Sequence, residues 1–284
     1  MTKRVLTGAA FALLVLAGVL LQGWVMFALI SLAMVVSTFE MYRAIRATAI
    51  EPVRWAGYLF CAACILAQGA GLYLSRDLHL SMYALLLSVM AAIICLVMRG
   101  KVAVDSLMAT LLPMLYPGIF YLTLMDLLRL ENRAVITVAL VLAFFCASIN
   151  DVFALFTGML LGKHKLSPIL SPKKTVEGSI GGLVASVLFA MAAPCLVRLI
   201  FRGNPAFVAG LDVLPSLWAF AILGLVAGAF SQVGDLAASM VKRHCGVKDF
   251  GHILPGHGGI MDRMDGILFC GVACAVFFKI AGLG

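Results

Sequence analysis

Charge is what this sequence has least of. Only 12% of its 284 residues are Asp, Glu, Lys or Arg, and just 13 are acidic, whereas a soluble domain carries about 25% charged residues. That scarcity excludes a disordered chain and a soluble globular enzyme. The sequence has no low-complexity tract, no internal repeat and no polar stretch long enough for a soluble domain. It lacks a basic stripe interleaved with aromatics, so nucleic acid is not an expected partner. Strand-like alternation is missing too, which argues against a membrane β-barrel. Eight cysteines in so long a chain are no disulfide scaffold, and seven lie inside apolar runs, where Cys acts as a small hydrophobe. Cys61 and Cys64 form a C-x-x-C, but no second such pair or His pair completes a metal site. What is abundant is apolar side chain: 63% of residues, with a mean hydropathy of +1.10. The expected class is an all-α, polytopic integral membrane protein.

Nine apolar runs approach the roughly 20 residues that a spanning helix needs: about 5–21, 23–39, 55–74, 79–98, 106–126, 134–156, 179–201, 215–238 and 260–281. The first two are separated only by Gln22-Gly23. One uninterrupted helix of that length would run roughly 51 Å, too long for a hydrocarbon core of about 30 Å, so a tight helical hairpin is expected. Lys3-Arg4 before the first run mimics a secretory leader, but no A-x-A-like site lies near Gln22-Gly23, and a retained segment is expected. With nine spans, 15 of the 21 basic residues fall on the side of the N-terminus. The positive-inside rule then places the N-terminus in the cytoplasm and the C-terminus outside, as in a multi-pass protein of the inner (cytoplasmic) membrane. Two polar loops, 157–178 and 239–259, share the cytoplasmic side. A single membrane domain is the simplest organisation, residues 1–130 forming a scaffold, dimer or lipid-facing part and residues 131–284 the catalytic part.

Ionisable groups in or beside spans are expensive, so each is a functional candidate. They crowd into one segment. Asp235, Ser239, Lys242 and Arg243 share a helix face at spacings of three and four. Lys248 and Asp249 follow, then Pro255-Gly256-His257-Gly258-Gly259, then Asp262-Arg263-Met264-Asp265 at the start of the last span. Asp262 and Asp265 are three apart and can hold a hard cation through oxygen, as Mg²⁺ is held by one or two carboxylates plus substrate phosphates. Gly256, Gly258 and Gly259 let backbone N–H groups approach a phosphate at a helix N-terminus. Lys242, Arg243, Lys248, His257 and Arg263 supply positive charge. In the earlier loop, Ser171-Pro172 suits an N-cap and first helical position, which would place Lys173 and Lys174 in a helix's first turn, unfavourable unless an anion lies near. The neighbouring Lys163, His164 and Lys165 read as topology determinants near headgroups, and Asp151 after Asn150 as either a packing or a functional group.

At these residues the chain resembles the phosphatidate cytidylyltransferase (CDP-diacylglycerol synthase) family. The resemblance rests on Ser239, Lys242-Arg243, Lys248-Asp249, Pro255-Gly256-His257-Gly258-Gly259 and Asp262-Arg263-Met264-Asp265. Upstream it extends to Asn150-Asp151, Gly158, Gly162-Lys163-His164-Lys165 and Ser171-Pro172-Lys173-Lys174-Thr175-Val176-Glu177-Gly178. It departs where many relatives have Glu and this chain has Ala238, and where many have an aromatic and this chain has Leu155. The resemblance implies transfer of CMP from CTP to phosphatidic acid, giving CDP-diacylglycerol and pyrophosphate. It implies Mg²⁺ with a second cation, K⁺; Asp235 and Asp262 as metal ligands, with Ser239, Lys242 and Asp265 completing the catalytic set; and Lys173, Lys174, Arg243, Lys248, His257, Gly258, Gly259 and Arg263 as substrate contacts. It also suggests a homodimer. The chemistry agrees with the residues: a phosphate monoester has a second pKa of about 6, so the nucleophile is already ionised and no strong general base is needed. What the site must offset is repulsion between two polyanions. Rival readings are transfer to another lipid phosphate, such as an archaeal ether lipid or a polyprenol, and an anion transporter using the aspartates for ion coupling. Against the transporter, polar groups occupy only the second half of the chain, without a matching half.

Overall fold

The computed structural model describes residues 2–74, 80–98, 104–254, 256 and 258–283. The chain is helical almost throughout: α1 Thr2–Leu21, α2 Gly23–Arg46, α3 Arg54–Leu74, α4 Leu80–Met98, α5 Val104–Pro113, α6 Phe120–Asp126, α7 Arg133–Leu161, α8 Val176–Ile200, α9 Pro205–Ala209, α10 Leu217–His244 and α11 Met261–Ile280. Among the described residues, seven segments are long and apolar enough to cross a membrane: α2, α3, α4, the stretch Val104–Arg129 that contains α5 and α6, α7, α8 and α10. The other two expected spans exist as helices but differ in kind. In α1 the apolar stretch found is the shorter Ala10–Leu21, and α11 opens on Asp262, Arg263 and Asp265. Length and apolarity therefore identify seven spans where the sequence pattern counts nine. The surface is that of a multi-pass membrane protein: Leu66, Val97, Leu160 and Trp218 are each more than 70% exposed, and the helices satisfy their own backbone groups, as hydrocarbon demands.

The hairpin expected at Gln22-Gly23 is present. Gln22 leaves helical geometry (φ 53°, ψ −155°), and its buried side chain donates to Arg133 O at 3.0 Å and Thr137 Oγ1 at 2.6 Å at the start of α7. Two local features differ from the sequence pattern. The span expected at 106–126 is present within Val104–Arg129, but its helix is interrupted. Tyr116 is extended (φ −133°, ψ 114°), because Pro117 lacks an N–H and disfavours helical geometry in the residue before it. Ser171-Pro172 does not open a helix either. Lys165–Ser167 (β1) and Ser171–Thr175 (β2) form a two-stranded antiparallel hairpin, and α8 begins only at Val176. There Thr175 is the N-cap, its hydroxyl accepting the Gly178 N–H at 3.1 Å. Pro172 is tolerated on so short a hairpin, where no further strand needs its missing N–H. Lys173 and Lys174 therefore alternate along a strand instead of sharing a helical turn.

Helices α7, α8, α10 and α11 pack together closely, and small residues set the spacing. On α10, a Cβ added to Gly224 would lie 2.6 Å from Ser186 O and 2.8 Å from Val187 Cα, both backbone atoms of α8. Backbone cannot rotate aside as a side chain can. Gly224→Ala is expected to force α8 and α10 apart at a cost of about 1–3 kcal/mol, read as a lower thermal-unfolding midpoint of the purified protein in detergent. An unchanged midpoint would mean that the two helices are not locked at this separation.

α7 and α10 have 29 and 28 residues, about 42 Å or more at 1.5 Å per residue. They outreach a hydrocarbon core of about 30 Å, so their ends project into the polar region. The ends of α2, α7 and α10, the start of α11 and the β-hairpin meet at one end of the bundle, tied by Arg43 Nη2 donating to Phe250 O (2.7 Å) and Arg243 Nε to Leu170 O (3.5 Å). Arg43 and Arg243, two of the basic residues that the sequence assigns to one face, thus lie at the same end of the bundle.

Candidate active site

The site is built where this end of the bundle opens. A cavity of about 450 Å³ lies between α7, the β-hairpin, α8 and α10. Its lining mixes charged side chains, Asp151, Lys173, Lys174 and Asp235, with apolar ones, Leu155, Met159 and Leu166. Lys174 Nζ reaches across from β2 to form an ion pair with Asp235 Oδ2. The side chains of this pair are about a quarter exposed, 25% and 28%, so solvent still reaches the charges. Below them a polar network joins three helices. Gln232 Nε2 donates to Asn150 Oδ1 (3.2 Å) and Ser179 O (2.9 Å), Ser179 Oγ donates to Gln232 Oε1, and Asn150 Nδ2 donates to Ser186 Oγ (2.9 Å) and Gly228 O (3.2 Å). The sequence singled out Asn150 as half of a motif and gave Gln232 and Ser179 no role; the network fixes the turn of α10 that carries Asp235. Glu177, just past β2, accepts the backbone N–H of Lys163 (3.1 Å) and His164 (3.2 Å) and pairs with His164 Nδ1 (2.6 Å). The open end of the hairpin is thereby anchored, while Arg243 holds its turn at Leu170 O.

The second part of the site is the loop between α10 and α11. Asp262 is buried and fully engaged. Its Oδ1 accepts Lys242 Nζ at 2.8 Å, and its Oδ2 accepts the N–H of Phe250 (2.8 Å) and of Gly259 (2.9 Å). Lys242 Nζ also lies 5.4 Å from the centre of the Phe250 ring, a cation–π contact. Gly258 has φ +82°, and a Cβ there would sit 2.8 Å from Asp262 Oδ2; both facts require glycine. Asp265, one turn on, is buried and accepts the Gly266 N–H at 2.8 Å. It lies within charge-interaction range of Asp235, Asp151 and Lys242. Ser239 is buried on α10, with Ala238 fully buried beside it. Lys173, Arg243, Lys248 and Arg263 are exposed around the rim. His257 lies outside the described residues.

The structure pairs Lys174 with Asp235 and Lys242 with Asp262, and it places Asp265 in the electrostatic reach of Asp235 and of Asp151. It separates the environments of Asp262 and Asp265: the first closes a loop, the second faces the other acids. Among the described residues, no three His, Cys, Asp or Glu groups are drawn tightly enough to form a ready-made metal cage. A hard cation that arrives with phosphates needs only one or two carboxylates, and an all-carboxylate set beside lysines fits that mode. What these residues can do together is hold a polyanion and a cation at the boundary between water and lipid.

This is a polytopic membrane protein with a charged site at one end of its helical bundle. The sequence model of the Cytidylyltransferase family matches residues 2–281, and the chain belongs to that family. It is 45% identical over 127 residues to the phosphatidate cytidylyltransferase of Staphylococcus saprophyticus, a match covering 45% of this chain and 44% of the relative. It is 42% identical over the same length to the proteins of that name from Staphylococcus haemolyticus and Staphylococcus aureus, with the same coverage. The matched part spans less than half the length of these relatives.

Proposed function

We propose that the protein transfers the CMP group of CTP to phosphatidic acid, releasing pyrophosphate and leaving CDP-diacylglycerol in the membrane. The observation that carries this reading is the mixed lining of the cavity, where Lys173, Lys174, Asp151 and Asp235 adjoin Leu155, Met159 and Leu166, which suits a ligand with a phosphate head and an apolar tail. The names of the Staphylococcus relatives support the same substrate.

The lipid phosphate is the nucleophile and needs only to be brought in line with the α-phosphate of CTP. Lys173 and Lys174 on the hairpin, with Arg243, Lys248, His257 and Arg263 around the loop, hold the phosphates and offset their mutual repulsion. Gly258 and Gly259 let the loop backbone come close to them, the Gly259 N–H itself being held by Asp262. Asp235 and Asp262 would hold Mg²⁺, with Ser239 and Asp265 close by, and the ion would supply charge neutralisation at the phosphates. Asp151 gives a second cation, K⁺ in the family the chain resembles, a further carboxylate. Residues 131–284 form the catalytic part of a single membrane domain, and residues 1–130 the scaffold and the surface of a homodimer. The site faces the cytoplasm at the inner membrane, with the N-terminus on the same side and the C-terminus outside, as the excess of basic residues there supports.

The test is pyrophosphate release by the purified protein in detergent. Release is expected to require CTP, phosphatidic acid and Mg²⁺ together. Release with a prenyl phosphate in place of phosphatidic acid would keep the chemistry and change the acceptor. No release with any lipid phosphate from a folded sample would sink the enzyme reading.

A further inference from the structure

Glu40 sits on α2, in the half of the chain that contributes nothing to the phosphate motif. Its side chain is completely buried. Oε2 accepts the Met261 N–H at 2.9 Å, and the Ile260 N–H also faces the carboxylate. Oε1 has no hydrogen bond of good geometry among the described residues. The carboxylate is wedged between two glycines of the loop: a Cβ on Gly251 would collide with Oε1, and one on Gly259 with Oε2. One turn along α2, Arg43 Nη2 donates to Phe250 O at 2.7 Å.

A buried carboxylate with an unmatched oxygen is costly, and packing alone would be met by a Met or Leu. The loop explains it. The first N–H groups of α11 have no intrahelical partner, and a negative group at that helix end is stabilising. Glu40 provides both from a distant helix. Asp262 holds the N–H of Phe250 and of Gly259 from the first turn of α11, while Arg43 and Glu40 on α2 hold Phe250 O and Met261 N. Both ends of the loop are therefore fixed twice.

We infer that Glu40, with Arg43, is a positioning residue: a brace from the N-terminal helices that sets the 250–261 loop and the start of α11, and so presents Asp262 and Asp265 to the site. Its consequence for catalysis rests on the reading proposed above; its structural part does not. The test uses the full chain in detergent, as wild type, Glu40→Ala, Glu40→Gln and Arg43→Ala. Hydrogen exchange in peptides covering 250–261 is expected to accelerate about tenfold in Glu40→Ala, the loss of one hydrogen bond to a charged group, while α7 and α8 keep wild-type protection. Glu40→Gln keeps an acceptor and the shape, and is expected to restore most of that protection. In pyrophosphate release, Glu40→Ala should lower kcat about tenfold and raise the Mg²⁺ concentration for half-activity, since a misplaced loop misplaces the aspartates. Unchanged exchange in both Ala variants overturns the brace, and so does acceleration spread evenly over the chain, which would mark a general packing role. If Glu40→Ala does not fold, Arg43→Ala and Glu40→Gln carry the same comparison. If the wild type releases no pyrophosphate, the functional reading has failed and the exchange result still decides the brace.

Discussion

Asp235→Asn is expected to lower the rate of pyrophosphate release by on the order of 10²–10³, the loss typical of removing one preorganised charge-stabilising group, with almost no change in thermal stability. The two halves of this expectation have different causes. Asn has the shape of Asp, and the turn that carries residue 235 is held by the Gln232–Asn150–Ser179 network rather than by the carboxylate. The Lys174 partner is a quarter exposed, and ion pairs that solvent still reaches contribute roughly 0–1 kcal/mol. Little stability is therefore at stake. The charge itself is the only negative group paired to the hairpin lysine at the cavity among the described ion pairs, and it lies in range of both Asp151 and Asp265. Removing it changes the field that cation and phosphates would meet. Activity and unfolding midpoint measured on the same preparation check this. A midpoint that falls in proportion to activity would make Asp235 a structural partner of Lys174 and move the catalytic weight to Asp265.

Legibility of this site in the sequence followed chemical cost. Acids and lysines stand out against apolar runs, so Asp235, Lys242, Asp262 and Asp265 were visible as a group, and their helical spacings placed them on the right elements. Gln22-Gly23 was readable for the same reason: a polar break in a stretch too long for one span. The hairpin was not, because Ser-Pro is an equally good helix opening and nothing local says that Thr175 takes the cap. Glu40 escaped notice for a different reason. It stands alone among apolar residues on α2, and its partners Gly251, Gly259 and Met261 lie more than 200 positions away. A single buried acid in a span was the available signal, but only the tertiary fold shows what it holds. Asp262 was legible as a residue and not as a role: spacing groups it with Asp265, whereas the loop's backbone N–H groups claim it.

That difference yields the other large effect. Asp262→Asn is expected to abolish measurable pyrophosphate release and also to destabilise the protein by about 3 kcal/mol or more, because breaking a buried pair strands the remaining charge. Both side chains of the Lys242–Asp262 pair are well shielded, at 13% and 4% exposed. The amide would turn an NH₂ toward either Lys242 or the N–H groups of Phe250 and Gly259, so at least one donor loses its acceptor whichever way it sits. Lys242→Met removes the charge and leaves Asp262 with two backbone N–H groups, so it is expected to cost less stability than Asp262→Asn. Combining the two should be clearly non-additive: the double variant no longer contains a stranded lysine, and its unfolding midpoint should recover part of the loss while activity stays absent. Unfolding in detergent of the wild type, both single variants and the double variant supplies the cycle. If Asp262→Asn instead unfolds like the wild type and is merely inactive, the carboxylate's bonds to the loop carry no stability, and Asp262 acts on the substrate or its cation directly, with Lys242 held in reserve until they arrive.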